Sequence, residues 1–123
     1  MAWNLDSDRP IFLQIVERIQ MDIIAGRYRP GDKLPSVRDL SGEAGVNPNT
    51  MQKAFTELEH TGLVYSQRTS GRFITEDETL VNNLKTSLAK EKINEFLDLM
   101  QKLGYSNQEI SELMHLSMKG GGK

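Results

Sequence analysis

Cysteine is absent from the 123-residue chain. Its absence excludes disulfides, thiolate zinc sites and cysteine nucleophiles. Histidine is nearly absent too: His60 and His115 are the only two. They lie far apart in sequence, which leaves a histidine metal site or a Ser-His-Asp triad without its parts. No apolar run approaches the roughly 20 residues that a membrane-spanning helix needs. Met1-Ala2-Trp3-Asn4-Leu5-Asp6 lacks the basic-then-apolar plan of a signal peptide, so a cytoplasmic protein with no membrane contact is expected. The length allows one domain, or one small domain plus an appendage, and no large catalytic domain. Neither catalytic residues nor a cofactor or metal are expected.

What is present is an ordinary globular composition, 37% hydrophobic and 26% charged. The net charge of −2 hides an uneven layout. Residues 1–25 sum to −2, residues 26–75 to +2 and residues 76–118 to −4. Only the middle stretch is positive, which matters if its cations share a face that reads nucleic acid.

Residues 10–25 have helical spacing. Pro10 suits the first helical position, and Phe12, Ile15, Val16, Ile19 and Ile23 form one apolar stripe. Gly26 stops this helix, Arg29-Pro30-Gly31-Asp32 is a turn, and Lys33-Leu34 makes a stub of strand. Ser36-Val37-Arg38-Asp39 is a close variant of the capping box and opens a second helix, with Val37, Leu40 and Ala44 facing inward. Gly45 ends it, and Val46 can be buried in the turn that follows. Asn47 caps a third helix with Pro48 at its first position. Met51, Ala54, Phe55 and Leu58 are its apolar face; Asn49, Thr50, Gln52, Lys53 and Thr56 are its polar one. Residues 63–68 and 72–75 pattern as two strands joined at Thr69-Ser70-Gly71. Residues 79–103 make one long helix or two pieces. Leu80, Leu84 and Leu88 recur every four residues, and Ala89, Ile93, Phe96, Met100 and Leu103 form a seam seeking a partner. Ser106-Asn107-Gln108-Glu109 is a full capping box before a last helix reaching about Met118.

Three short helices and a hairpin, with a four- or five-residue turn between the second and third helices, make a winged helix-turn-helix plan. A helix that enters the major groove must keep its outer face polar and free of acids, because the groove walls are phosphates. The third helix carries no acid before Glu57. Asn and Gln can pair bidentately with adenine, and Thr can bond base edges or phosphate.

The strings Pro30-Gly31-Asp32-Lys33-Leu34-Pro35-Ser36-Val37-Arg38-Asp39-Leu40, Val46-Asn47-Pro48-Asn49-Thr50-Met51-Gln52-Lys53-Ala54-Phe55 and Leu58-Glu59-His60-Thr61-Gly62-Leu63-Val64 resemble the DNA-binding domain of GntR-family bacterial transcription regulators. The short helical remainder resembles the YtrA-type branch, which keeps two C-terminal helices for dimerisation. The resemblance implies that Arg38 grips the operator, that Ser36 meets a phosphate, and that Asn47, Asn49, Thr50 and Gln52 face DNA. It also implies that Ser70 and Gly71 form a wing tip in the minor groove. Many relatives have arginine where this chain has Pro48, and often where it has Gln52, so their guanine contacts do not carry over. Lys53 and Arg72 are expected phosphate contacts.

The expected fold is therefore α+β, mainly α. Residues 1–75 are the winged helix-turn-helix, residues 76–118 a helical dimerisation region and residues 119–123 a flexible tail. The expected function is a sequence-specific DNA-binding regulator, a homodimeric repressor on a palindromic double-stranded operator. The alternative is a winged-helix protein-interaction module. A small-molecule effector is left open and unidentified.

Overall fold

The computed structural model describes residues 3–120. In chain order they form α1 (Ile11–Ile24), α2 (Val37–Ala44), α3 (Pro48–His60), β1 (Val64–Gln67), β2 (Gly71–Ile74), α4 (Glu78–Lys102) and α5 (Asn107–Gly120). The chain divides into two compact units, Met1–Asn83 and Leu84–Lys123. The division falls inside α4, not at the expected 75/76 boundary. The α4 cap belongs to the first unit: the Asp77 amide donates to Thr75 Oγ1 (3.0 Å), and the Leu80 amide to Asp77 Oδ1 (3.1 Å).

In the first unit, the α1 stripe buries Ile15, Val16, Ile19 and Ile23. They pack with the α3 face Met51, Ala54, Phe55 and Leu58, all fully buried. Leu40 and Ala44 of α2, then Leu34, Leu63, Val64 and Ile74, close the core. Each such Val, Leu, Ile, Met or Phe side chain contributes roughly 1.5–3 kcal/mol over leaving it exposed. Phe12, Val37 and Val46 are only half-buried, at the edge of this core.

Pro10 is the cap of α1 and not its first helical residue; its ψ of 127° is extended. The reason is a clasp. Buried Gln14 donates to the Asp6 carbonyl (2.7 Å) and the Arg9 carbonyl (3.1 Å), and accepts from the Asp6 amide (2.7 Å). That holds the chain before Ile11 in a non-helical path. Trp3 is fastened as well. Its amide donates to the Ala44 carbonyl (3.1 Å), its indole N–H to Glu43 (3.2 Å), and the Arg18 guanidinium lies 4.4 Å from its ring centroid.

The remaining helix ends follow their caps. Ser36 Oγ accepts from the Asp39 amide (3.0 Å), and Gly45 closes α2 with φ +75°. Strands β1 and β2 pair antiparallel, with Val64 opposite Ile74, Tyr65 opposite Phe73, Ser66 opposite Arg72 and Gln67 opposite Gly71. The Lys33-Leu34 stub adds a short third edge. Lys33 bridges to Phe73, and the Leu34 amide donates to the Arg72 carbonyl (2.8 Å).

In the second unit, α4 and α5 are joined through Gly104, whose φ of +101° favours glycine. The capping box forms in full: Ser106 N donates to Glu109 Oε1 (2.8 Å) and Glu109 N to Ser106 Oγ (3.1 Å). Helix α5 runs on through Lys119 and Gly120, the first two residues of the expected flexible tail. Residues 121–123 lie outside the described residues. Among the described residues of this unit only Ile110 is buried. Ile93 is 55% exposed and Leu103 65%, and Phe96, Leu99, Leu113, Met114, Leu116 and Met118 are exposed too.

Candidate nucleic-acid interface

The N-terminus of α2, the middle of α3 and the hairpin surround a cleft of about 530 Å³. Six of the ten expected contact residues line it: Ser36, Arg38, Gln52, Ser70, Gly71 and Arg72. No carboxylate does. Ser36 and Arg38 stand there because the cap starts α2 at Val37, so the helix N-terminus, an end that favours an anion, borders the cleft. Arg38 is exposed and makes no ion pair among the described residues. Glu43, on the same helix, accepts from the Trp3 indole.

On α3, Gln52 is exposed, with its amide within 3.5 Å of Thr56 Oγ1. Asn49 lies one turn earlier on the same face, also exposed. Asn47 is engaged as the cap, its Oδ1 accepting from the Asn49 amide (2.7 Å). Thr50 is half-buried and shares with Asn47 a separate hollow beside Trp3 and Leu5. Lys53 is outside the cleft, its ammonium 4.1 Å from the Phe12 ring centroid. Asn47 and Thr50 at the helix start thus stand apart from the cleft.

Arg72 is not the free cation that was expected. Its Nε donates to Glu59 Oε2 (2.8 Å), and its guanidinium sits 5.1 Å from the ring centroid of buried Phe55. Ser66 donates its hydroxyl to the same carboxylate oxygen. Burial opposes the Glu59 charge, yet the hydrogen bonds from Ser66 and Arg72, with the charges of Arg72 and His60, hold it below the usual carboxylate range.

Three residues escaped the sequence reading. Lys33 and Thr69 line the cleft, and exposed Arg68 sits at the hairpin turn without an ion pair among the described residues. For Lys33 the signal was its place in a strand stub beside the hairpin. A Cβ added at Gly71, where φ is +108°, would stand 3.0 Å from Lys33 Cε, so Lys33 abuts the turn. Among the described residues no group of three His, Asp or Glu side chains could hold a metal ion, and no helix is long and apolar enough to cross a membrane.

A capped helix pair whose second member begins with an acid-free polar face, flanked by a hairpin across a cationic cleft, defines a winged helix-turn-helix DNA-binding module. Residues 12–74 match the family described as bacterial regulatory proteins, gntR family. The chain belongs to that family, whose members are transcription regulators and not enzymes. It is 34% identical to the HTH-type transcriptional repressor YtrA of Bacillus subtilis, over 95% of this chain and 93% of that one. It superposes on a GntR family transcriptional regulator from Listeria monocytogenes with a TM-score of 0.85 and 39% identity, covering 90% of this chain and 97% of that one. It also superposes on AraR(DBD) in complex with operator ORX1, with a TM-score of 0.52 and 30% identity, over 61% of this chain and 92% of that one.

Proposed function

We propose that this regulator is a homodimeric repressor of the cytoplasm that reads a palindromic double-stranded operator. Helix α3 enters the major groove with Asn49 and Gln52 against base edges, and Asn47 and Thr50 lie along the groove wall. Ser36, Arg38 and Lys53 meet phosphates, joined by Lys33 and Arg68. The tip at Thr69, Ser70 and Gly71 enters the flanking minor groove, where a glycine lets backbone approach closely. The observation that carries this reading is the cleft, which gathers Ser36, Arg38, Gln52 and the hairpin tip with no carboxylate among its lining residues.

The match to a B. subtilis repressor and the likeness to a module solved on its operator support repression and operator binding. Dimerisation is supported by the exposed apolar surface of the second unit, in which Ile110 alone is buried among the described residues. One module makes few phosphate contacts; two on a two-fold axis read two half-sites. The mechanism is occupancy of the promoter, and no small-molecule effector is assigned.

Gel shift and footprinting of the purified protein on genomic fragments test the proposal. The expected result is retention that unrelated duplex does not compete away, with two symmetric protected half-sites. Equal competition by any duplex, or one unpaired patch of protection, overturns it.

A further inference from the structure

We propose that Glu59 is the positioning residue of the wing: one carboxylate on α3 holds both hairpin strands and so sets where the hairpin tip stands against the cleft. Glu59 follows Gln52 by seven residues, which puts the two on one face of α3. An acid on a groove-facing surface opposes DNA unless its charge is met within the protein. Here it is met twice. Arg72 Nε reaches Glu59 Oε2 at 2.8 Å, and Ser66 donates to that oxygen as well.

These two donors come one from each strand and face each other in the register. Theirs is the last cross-strand pair before Gln67 and Gly71 at the tip. The inward pair Val64 and Ile74 anchors only the base of the hairpin; no residue from 65 to 71 is buried. A two-stranded hairpin of four-residue strands holds no fixed angle by itself. The Lys33-Leu34 stub restrains only the β2 strand, through its backbone; the carboxylate adds a side-chain restraint from α3 that takes in both strands near the tip. A register slip of one residue would turn Ser66 or Arg72 to the other face and break the clamp. Arg72 is bound on three sides, by Glu59, by the Phe55 ring and, through its carbonyl, by the Leu34 amide. Its Nε is thus engaged in holding the wing.

This inference rests on the operator reading, and its test separates the two. A duplex is first selected from a randomised pool with the wild-type chain. Dimethyl sulfate then reports guanine N7 in the major groove and adenine N3 in the minor groove. For Glu59→Gln, the adenine protections at the flanks are lost, the guanine protections stay, and affinity falls about tenfold. Arg72→Gln gives the same pattern, and the double variant is no worse than either single one, because both remove one clamp.

Unchanged adenine protection in Glu59→Gln, loss of both protections together in a folded variant, or additive losses in the double variant each overturn the proposal. If Glu59→Gln fails to fold by circular dichroism, Ser66→Ala, which leaves the ion pair intact, must weaken the adenine protections or the proposal falls. A wild-type chain that protects no base overturns the operator reading, and this inference with it.

Discussion

Arg38, Lys53 and Arg72 are three cations of one module that the structure treats in three ways. Arg38 is open to solvent on the cleft, Lys53 lies over Phe12, and Arg72 is tied to Glu59. Sequence alone marks all three as positive; only the neighbours decide what each charge is available for. Arg38→Ala should therefore weaken binding to every duplex and shallow the log–log salt slope by about 0.9, as loss of one phosphate contact does. Lys53→Ala should do the same and also lower stability by about 0.5–1 kcal/mol through the lost contact with Phe12. Titration of binding against salt, beside urea unfolding, separates these outcomes. Gln52→Ala should leave the slope alone and relax one base pair of the operator, with roughly 1–3 kcal/mol less discrimination. An unchanged base preference in a competition series would remove Gln52 from the reading set.

Glu59 also carries a pH signature. The groups facing it are Arg72 and Ser66 from the wing and His60 from its own helix. Its folded-state pKa is depressed, so its contribution to stability is fully present above the ordinary value near 4.5 and is lost as pH falls through the lower folded value. The unfolding midpoint of the wild type should thus fall more steeply below about pH 4.5 than that of Glu59→Gln. Parallel curves for the two proteins would show that the carboxylate adds nothing to the folded state.

The helices of this chain start where local chemistry predicts when the cap acts on its own next turn. Ser36, Asn47 and Ser106 each accept from an amide two or three residues on. Pro10 breaks the pattern because its segment answers to Gln14, a side chain on the next turn of α1 that grips the backbone at Asp6 and Arg9. Nothing in the periodicity of α1 marks a buried glutamine. Nor does it show that Trp3 reaches across to Ala44 and Glu43, some 40 residues away in sequence. For α2, the cap is one of few local supports in an eight-residue helix. Ser36→Ala should cost about 1 kcal/mol in urea unfolding, within the range for N-cap removal. Operator affinity should fall with it, since Ser36, Val37 and Arg38 at the start of α2 line the same cleft. A variant as stable as the wild type would mean that backbone amides and water replace the hydroxyl without loss.

For the molecule as a whole, the open question that its surface poses is the second unit. Ile93 and Leu103 are more than half exposed, so replacing both by lysine disturbs little packing within one chain. Ile93→Lys with Leu103→Lys should give a folded monomer by sedimentation. Operator affinity should drop by orders of magnitude, because two linked modules bind with an effective concentration that a single module lacks. A dimeric wild type whose variant stays dimeric would place the interface of the proposed homodimer elsewhere.

Residues that act on their own turn were readable from the chain. The apolar stripes of α1 and α3, the caps of α2, α3 and α5, the hairpin turn and the acid-free start of α3 depend on spacings of two to four residues, and such spacings are written in the order of the amino acids. The clamp of Glu59 on Ser66 and Arg72, the placing of Lys33 against Gly71, the clasp of Gln14 and the boundary inside α4 were not readable. Each joins residues whose distance in sequence says nothing about their distance in space. A charge alone states only its sign; the fold decides whether another side chain has already neutralised it, and so which cations remain to meet phosphate.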